Sequence, residues 1–372
     1  MRYLVKLTPL DSFFFGSESK YKKKKNEKGE LLEDYEADYF QKSLRFPQQT
    51  TLLGVLRYHI LQQNRWLCTA EKPKLSNAAQ NAIGRFSFSM KHDNSFGYIE
   101  SISPVRIIND EGIMYSPNAK YLIIAEKEEE GNKVKFVDTI TLTDINSKNN
   151  IGNVQHLTLK GYDEKEGLSD FLTCNEETSI LNYNKVFIAN EQIGITKAKD
   201  GQADDKAFYK QTSYKLKSGY SFAFYAELNN QFKPQNGLVR MGAEKSPFKI
   251  SFDPIIENKT SNTSVPQLSD GEEYCLTFIA DTYIENKEKF DTAIRNSSLS
   301  IINTLPFRFF NNGKAHYDIS ERSDRYNLVQ RGSVAYFSDR QSLEQLIKLI
   351  EDHKKFVKIG YNQFNISTQK IN

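Results

Sequence analysis

Phe46-Pro47-Gln48-Gln49-Thr50-Thr51-Leu52-Leu53-Gly54-Val55-Leu56-Arg57 is the stretch on which the fold turns. From Thr51 to Asn64 the apolar residues fall at helical spacing, with Leu52, Leu53, Leu56 and Ile60 on one face. Thr50 is the expected N-cap, because its side-chain oxygen can accept from a free amide of the first turn. Upstream, Tyr3 to Leu7 alternates apolar and polar residues like a half-buried strand, and Pro9 ends it. A strand followed by such a helix opens an α+β unit.

Further along, strands dominate. Phe86 to Phe88, Tyr98 to Val105, Tyr121 to Ala125, Val186 to Ile188, Gln192 to Thr196, Ser221 to Leu228, Leu276 to Ala280 and Ser333 to Phe337 all read as strands. Ser342 to Glu351 reads as a helix with Leu343, Leu346 and Ile350 on one stripe. The chain of 372 residues is long enough for about two domains at roughly 150 residues each, and Asn229 to Gly237 is the best linker. Between the first strand and the helix, residues 17–40 form a polar insertion. It is basic over Lys22 to Lys25 and acidic through Glu33, Asp34, Glu36 and Asp38. The run reads either as a solvated loop or as an RNA-contacting arm.

Composition excludes several classes. Aromatic residues at 12% argue against disorder over most of the chain, and no run approaches the roughly 20 apolar residues of a membrane span. Met1 to Leu7 already alternates like a strand and lacks the apolar core of a secretory signal, so a soluble, cytoplasmic protein is expected. A net charge of +3 means that a polyanion would have to be met locally. Cys68, Cys174 and Cys275 stand far apart, without the spacing of a zinc site or a disulfide framework.

Catalytic signatures are missing: no nucleophile elbow, zinc-protease helix, phosphate loop or dinucleotide glycine fingerprint occurs. His59 reads as a core-edge histidine before it reads as a general base. Asp34 and Asp38 could hold a magnesium ion near an RNA phosphate, although carboxylates in a charged loop are usually solvated. Anion binding has better support. The helix start, with Gln49, Thr50 and Thr51 around its unpaired amides, could hold a phosphate. Arg57 flanks the apolar face and wants either an internal carboxylate or a backbone phosphate.

Glu191 to Lys210 has strand-like runs flanking a charged loop, the pattern of a projecting hairpin. Lys197, Lys199, Lys206 and Lys210, with Phe208 and Tyr209 between them, combine cationic and stacking groups as single-strand binders do. Taken alone, the run reads first as an exposed charged hairpin. Gly219 to Tyr225 partly matches an aromatic RNA-binding strand, but Tyr220, Phe222 and Phe224 on one face read first as core.

Taken in order, these segments resemble the RAMP superfamily of CRISPR effector subunits, and within it the type III-B subunit that caps the 5′ end of the guide RNA. The resemblance rests on Leu7 to Gly16, Phe46 to Arg57, Ile193 to Tyr209, Val239 to Lys245 and Arg331 to Phe337. Gln48 and Gln49 stand where prolines are frequent, Ala243 where a glycine is usual, and the insertion 17–40 has no clear counterpart. The resemblance implies two ferredoxin-like domains, 1–230 with the hairpin 191–217, and 231–372. It implies no catalysis, cofactor or metal. The partners would be the 5′ tag of the guide RNA, the large polymerase-like subunit and the backbone subunit. The expected RNA contacts are Gln49, Thr50, Thr51, Arg57, Gly194, Ile195, Lys197, Lys199, Phe208, Tyr209, Arg240, Gly242 and Lys245, with Gly242 letting backbone approach the RNA. The superfamily also offers rivals: an RNA-cutting subunit using Asp34 or Asp38 with magnesium, and a protein-docking subunit that touches no RNA.

Overall fold

The computed structural model describes residues 1–16, 22–25, 31–36, 40–72, 74–90, 95–117, 139–140, 142–149, 152–159, 171–174, 180–197, 203–242, 244–255, 265–308 and 325–371. Most described elements are strands, with five α-helices, so the architecture is α+β. The expected strand at Tyr121–Ala125 lies outside the described residues, and Phe86–Phe88 is a loop instead.

The largest sheet is built on Arg2–Pro9. It runs in the order Ile180–Asn182, Phe171–Cys174, Met114–Pro117, Arg106–Asn109, Tyr220–Leu228, Arg2–Pro9, Ser246–Pro254, Gly237–Met241, and Ile99–Ile102 also pairs with Tyr220–Leu228. Alternation decides its buried side. Val5 lies between Phe224 and Phe252, and Leu7 between Phe222 and Ile250, all buried. Phe222 and Phe224 therefore fill the core rather than stack bases. The strands Gly237–Met241 and Ser246–Pro254 belong to this sheet, so it crosses the expected division at 230/231. Polar residues 229–237 are a connection within the sheet.

Helix α1 (Gln49–Gln63) covers the buried side, with α2 (Asn77–Ile83) beside it. Leu52, Leu53, Leu56 and Ile60 are buried as expected, but so are Val55, His59 and Leu61, because α1 is packed on more than one side. The cap differs from expectation. Thr50 is inside the helix, Gln48 is the N-cap and makes no side-chain cap bond, and the free amide is met from elsewhere, as shown below.

A second unit carries, in chain order, strand Glu272–Phe278, helix α3 (Lys287–Arg295), strands Leu299–Ile301 and Val334–Phe337, helix α4 (Arg340–Glu351) and strand Phe364–Ile371; the strands Thr282–Tyr283, Thr304–Phe307 and Tyr326–Val329, interspersed among them, form a small sheet of their own. Its sheet runs Leu299–Ile301, Val334–Phe337, Glu272–Phe278, Phe364–Ile371, with antiparallel neighbours throughout these four. Leu276, Phe278, Phe290, Leu343, Leu346 and Ile350 form its core. Its far end enters the first core: Tyr283, Phe356 and Tyr361 are buried with α1 and the large sheet. Helix α5 (Lys354–Lys358) carries Phe356, which stacks on Tyr283 at 4.6 Å.

The join between the units is polar. The fully buried Gln49 carboxamide donates to the carbonyls of Ser103 (2.9 Å) and Ile359 (2.8 Å), and its oxygen accepts from the Val105 amide (3.1 Å). Gly360 sits over it with φ +84°, and a Cβ there would overlap Gln49 Nε2 and come within 2.6 Å of the Ser103 carbonyl. Replacing Gln49 by leucine keeps the volume but orphans three buried backbone groups, at about 1–3 kcal/mol each. The expected outcome is a clear fall of the urea midpoint with unchanged slope, and a larger fall for Gly360→Ala. A Gln49→Leu midpoint equal to that of the parent would show that the clamp is not a determinant of stability.

Candidate nucleic-acid interface

The start of α1 is occupied by the chain itself. Gln49 is committed to Ser103, Val105 and Ile359, so it is withdrawn as an RNA contact. The Tyr361 hydroxyl hydrogen-bonds with both the hydroxyl and the amide of Thr50 and donates to Gln48 Oε1 at 3.0 Å. Burial drives the Tyr361 phenol strongly upward, so it stays a neutral donor. The Thr51 amide donates to the Gln48 carbonyl at 2.9 Å. A phosphate at this helix end would have to displace a buried tyrosine.

Among the described residues Arg57 pairs with no internal carboxylate. Its Nη2 donates to the Gly84 carbonyl at 3.2 Å, and its Nε is buried without a partner. Desolvation lowers its guanidinium to about 10. His59 is likewise structural: Nε2 bonds the Gln235 carbonyl at 2.8 Å and the ring stacks on Phe252 at 5.3 Å.

The hairpin is present and slightly longer at its base than expected, with strands Phe187–Lys197 and Ala203–Leu216. Gly194 lies opposite Tyr209, Ile195 opposite Phe208, and the register shifts between Ile195 and Lys197. Lys199 lies outside the described residues. The short strand Phe40–Lys42 adds a third member, parallel to Ala203–Leu216. The root is buried through Phe187, Tyr214 and Leu216, whereas Ile193 is 72% exposed in mid-strand. Lys210 pairs with Glu191 at 2.9 Å.

Arg240, Gly242 and Lys245 are brought to this root. Loop residues 10–16 lie between the two: Leu10 donates to the Pro247 carbonyl, Phe13 exchanges backbone bonds with Tyr214, and Glu244 accepts from Gln211 at 3.4 Å. Arg240 and Lys245 are exposed. Gly242 has φ +85°, and a Cβ on it would strike the Phe14 carbonyl. The close approach that requires glycine is thus to the chain's own loop, not to RNA.

Sequence reading missed a cleft of about 230 Å³ at the hairpin root, lined among others by Lys42, Arg45, Tyr183, Thr212 and Tyr214. Arg45 lies 4.4 Å from the Tyr183 ring centre. The only sequence signal was the cations Lys42 and Arg45 ahead of Phe46, and no local pattern announces that Phe40–Lys42 pairs with residues 210–212. Among the described residues no three His, Cys, Asp or Glu side chains gather in a metal-holding cluster. Asp38 lies outside the described residues.

These elements define a strand-rich α+β protein that carries a long two-stranded hairpin on an aromatic, cationic root. The family described as CRISPR-associated protein (Cas_Cmr3) matches residues 5–368, and the chain belongs to it. Among solved structures, a chain of the type III-B Cmr-beta complex bound to cognate target RNA and AMPPnP shares the fold at TM-score 0.50 and 15% identity, covering 98% of this chain and 96% of that one. A chain of the same kind of complex bound to cognate target RNA gives TM-score 0.48 at 16% identity, over 98% and 96%. No curated protein matches.

Burial lowers His59, with the Gln235 bond partly offsetting it, and burial also lowers His353 against Glu285 and Asp352. A histidine depressed in the fold binds its proton more readily when unfolded. Its contribution is complete above the unfolded value of about 6.5 and is lost as pH falls through the window beneath it. The urea midpoint should fall as pH drops from about 7 to about 5.5, with stability lost by at most about 1.4 kcal/mol per pH unit through His59 and by less through the solvent-screened His353. The His59→Phe variant should show a shallower drop; an equal drop would remove His59 from the account.

Proposed function

We propose that this chain is a non-catalytic RNA-binding subunit of a type III-B CRISPR effector complex. It holds the 5′ tag of the guide RNA and bridges the large polymerase-like subunit to the backbone subunit. Family membership supports the setting, and the related complexes are described as type III-B Cmr-beta bound to cognate target RNA. The order of elements from Glu272 to Ile371 supports reading the second unit as ferredoxin-like. The first unit, on the same reading, is a ferredoxin-like core enlarged by the hairpin and insertions.

The observation that carries the proposal is the hairpin: two long strands with a buried aromatic root, an exposed mid-strand and exposed Arg240 and Lys245 beside the root. Such a projection does nothing for the core beyond its root. It suits contact with a strand that needs few phosphates neutralised and several bases positioned.

The test is the complex co-expressed with neighbouring genes and a repeat array. The copurified RNA should share one 5′ end. The double variant Arg240→Glu, Lys245→Glu should retain less guide RNA, and the slope of log K against log salt should fall by about 0.7 per lost phosphate contact, as for single strands. Unchanged retention and slope would remove these two cations from the interface, and RNA lying wholly on other chains would overturn the proposal.

A further inference from the structure

The helical side of the large sheet carries a charge that the described chain leaves unanswered. Three elements meet there around residues 84–90. Arg57 of α1 donates from Nη2 to the Gly84 carbonyl at 3.2 Å, Phe88 meets Phe356 of α5 edge to face at 4.9 Å, and Lys355 of α5 donates to the Met90 carbonyl at 3.2 Å. Neither α1, residues 77–90 nor α5 contains an Asp or a Glu. All the charge these segments bring is positive.

The cations are not equivalent. Lys355 is held by Met90, and Lys358 lies 5.4 Å from the Phe96 ring centre, so both lysines are tied down. Arg57 is half-buried, and among the described residues no carboxylate answers it. The Gly84 carbonyl is a dipole and not a charge, so the desolvation that lowers this guanidinium to about 10 goes uncompensated. Nε is enclosed without a partner. Nη1 is neither bonded among the described residues nor shut off from solvent, and it stays reachable for an incoming oxygen.

Beside Arg57 the helix is bare. Gly54 is exposed, and nothing lies within 4 Å of the place a Cβ would take. It precedes Arg57 by three residues and Tyr58 by four, so the three share one helix face, on which Tyr58 is 39% exposed. Arg85, just past α2, is exposed with its guanidinium 5.5 Å from the Phe86 ring centre. Residue types choose between anions. A single strand of RNA is held by a track of free cations with several rings for its bases, whereas here the lysines are engaged and one exposed aromatic stands alone on the helix face. Arginine and tyrosine around a depression are the residues that carry protein–protein contacts, where lysine is depleted. A recessed guanidinium also suits a carboxylate on a flexible stem better than a phosphate bound into a chain on both sides.

We infer that the α1 face of Gly54, Arg57 and Tyr58, with Arg85 at its rim, docks an acidic side chain of a protein partner. The partner's carboxylate answers Arg57, and its neighbouring residues close over Gly54. The inference rests on the proposed place in a multi-subunit complex and names the surface and the chemistry of one contact within it.

The experiment uses the co-expressed complex, purified on a tag carried by this chain, with and without nuclease digestion of the RNA. Arg57→Met keeps the stem and removes the charge, Gly54→Trp fills the open space from an exposed position, and a benzophenone photo-crosslinker replaces Tyr58. The crosslinker should capture, in both arms, a peptide of a copurified subunit that contains Asp or Glu. Arg57→Met and Gly54→Trp should each lower retention of that subunit by about tenfold or more, with the thermal midpoint of the Gly54→Trp chain equal to that of the parent. Unchanged retention in both variants would overturn the docking surface and leave the RNA reading standing. A crosslink from position 58 to RNA would make the anion a phosphate and overturn it as well. A chain that copurifies with neither protein subunits nor RNA would sink this inference together with the reading it rests on.

Discussion

A single carboxamide holds the two units in register. Gln49 reaches a carbonyl just past one strand, an amide just before the next and a carbonyl 310 residues away in sequence, all from the first residue of α1. No apolar residue could do this, and no carboxylate could donate to both carbonyls. Beside it Arg331 and Asp281 form a buried pair, with Nε and Nη2 donating at 3.2 and 2.8 Å. Burial pushes the Arg331 guanidinium downward, and Asp281 more than offsets this. Such a pair adds little net stability, but losing one partner costs about 3–5 kcal/mol. Its effect is to allow one arrangement of Gln330 to Ser333 against Asp281 and to reject others.

That fixed junction matters for the hairpin because both share one aromatic cluster. Phe46 lies between the Arg331 guanidinium at 5.2 Å and Phe187 at 5.8 Å. Phe187 in turn meets Tyr214, Tyr183 and Phe222, and Phe13 and Phe15 bring in Phe248, which lies on the same face of the sheet beyond the strand Arg2–Pro9. Interlocked edge-to-face and stacked rings resist sliding. The root of the hairpin is therefore set by the same core that sets the junction, and its outer part extends from a rigid base.

The sequence disclosed what local pattern controls. Alternation at Tyr3 to Leu7 marks the central strand, helical spacing marks α1, and the face shared by Phe222 and Phe224 belongs to a core. It was silent where meaning depends on distant partners. Gln49 beside two threonines at a helix start reads as an anion contact until Ile359 and Ser103 are placed next to it. Gly242 declares that something comes close, and only the fold names Phe14 as that neighbour. Arg45 and Thr212 carry no shared motif; a parallel strand pairing brings their segments together. A division at 230/231 looked natural from composition, yet the following two strands extend the first sheet.

Charge explains why few contacts would have to suffice. A net charge of +3 over 372 residues cannot drive binding of a long RNA by counterion release. Several candidate cations are already employed inside the chain: Arg57 on a carbonyl, Arg331 on Asp281, Lys210 on Glu191. On the proposed function, recognition would draw on shape and stacking at a small number of positions. A hairpin set on a rigid aromatic base suits such recognition, because positioning a few nucleotides fixes the register of a strand without enclosing it.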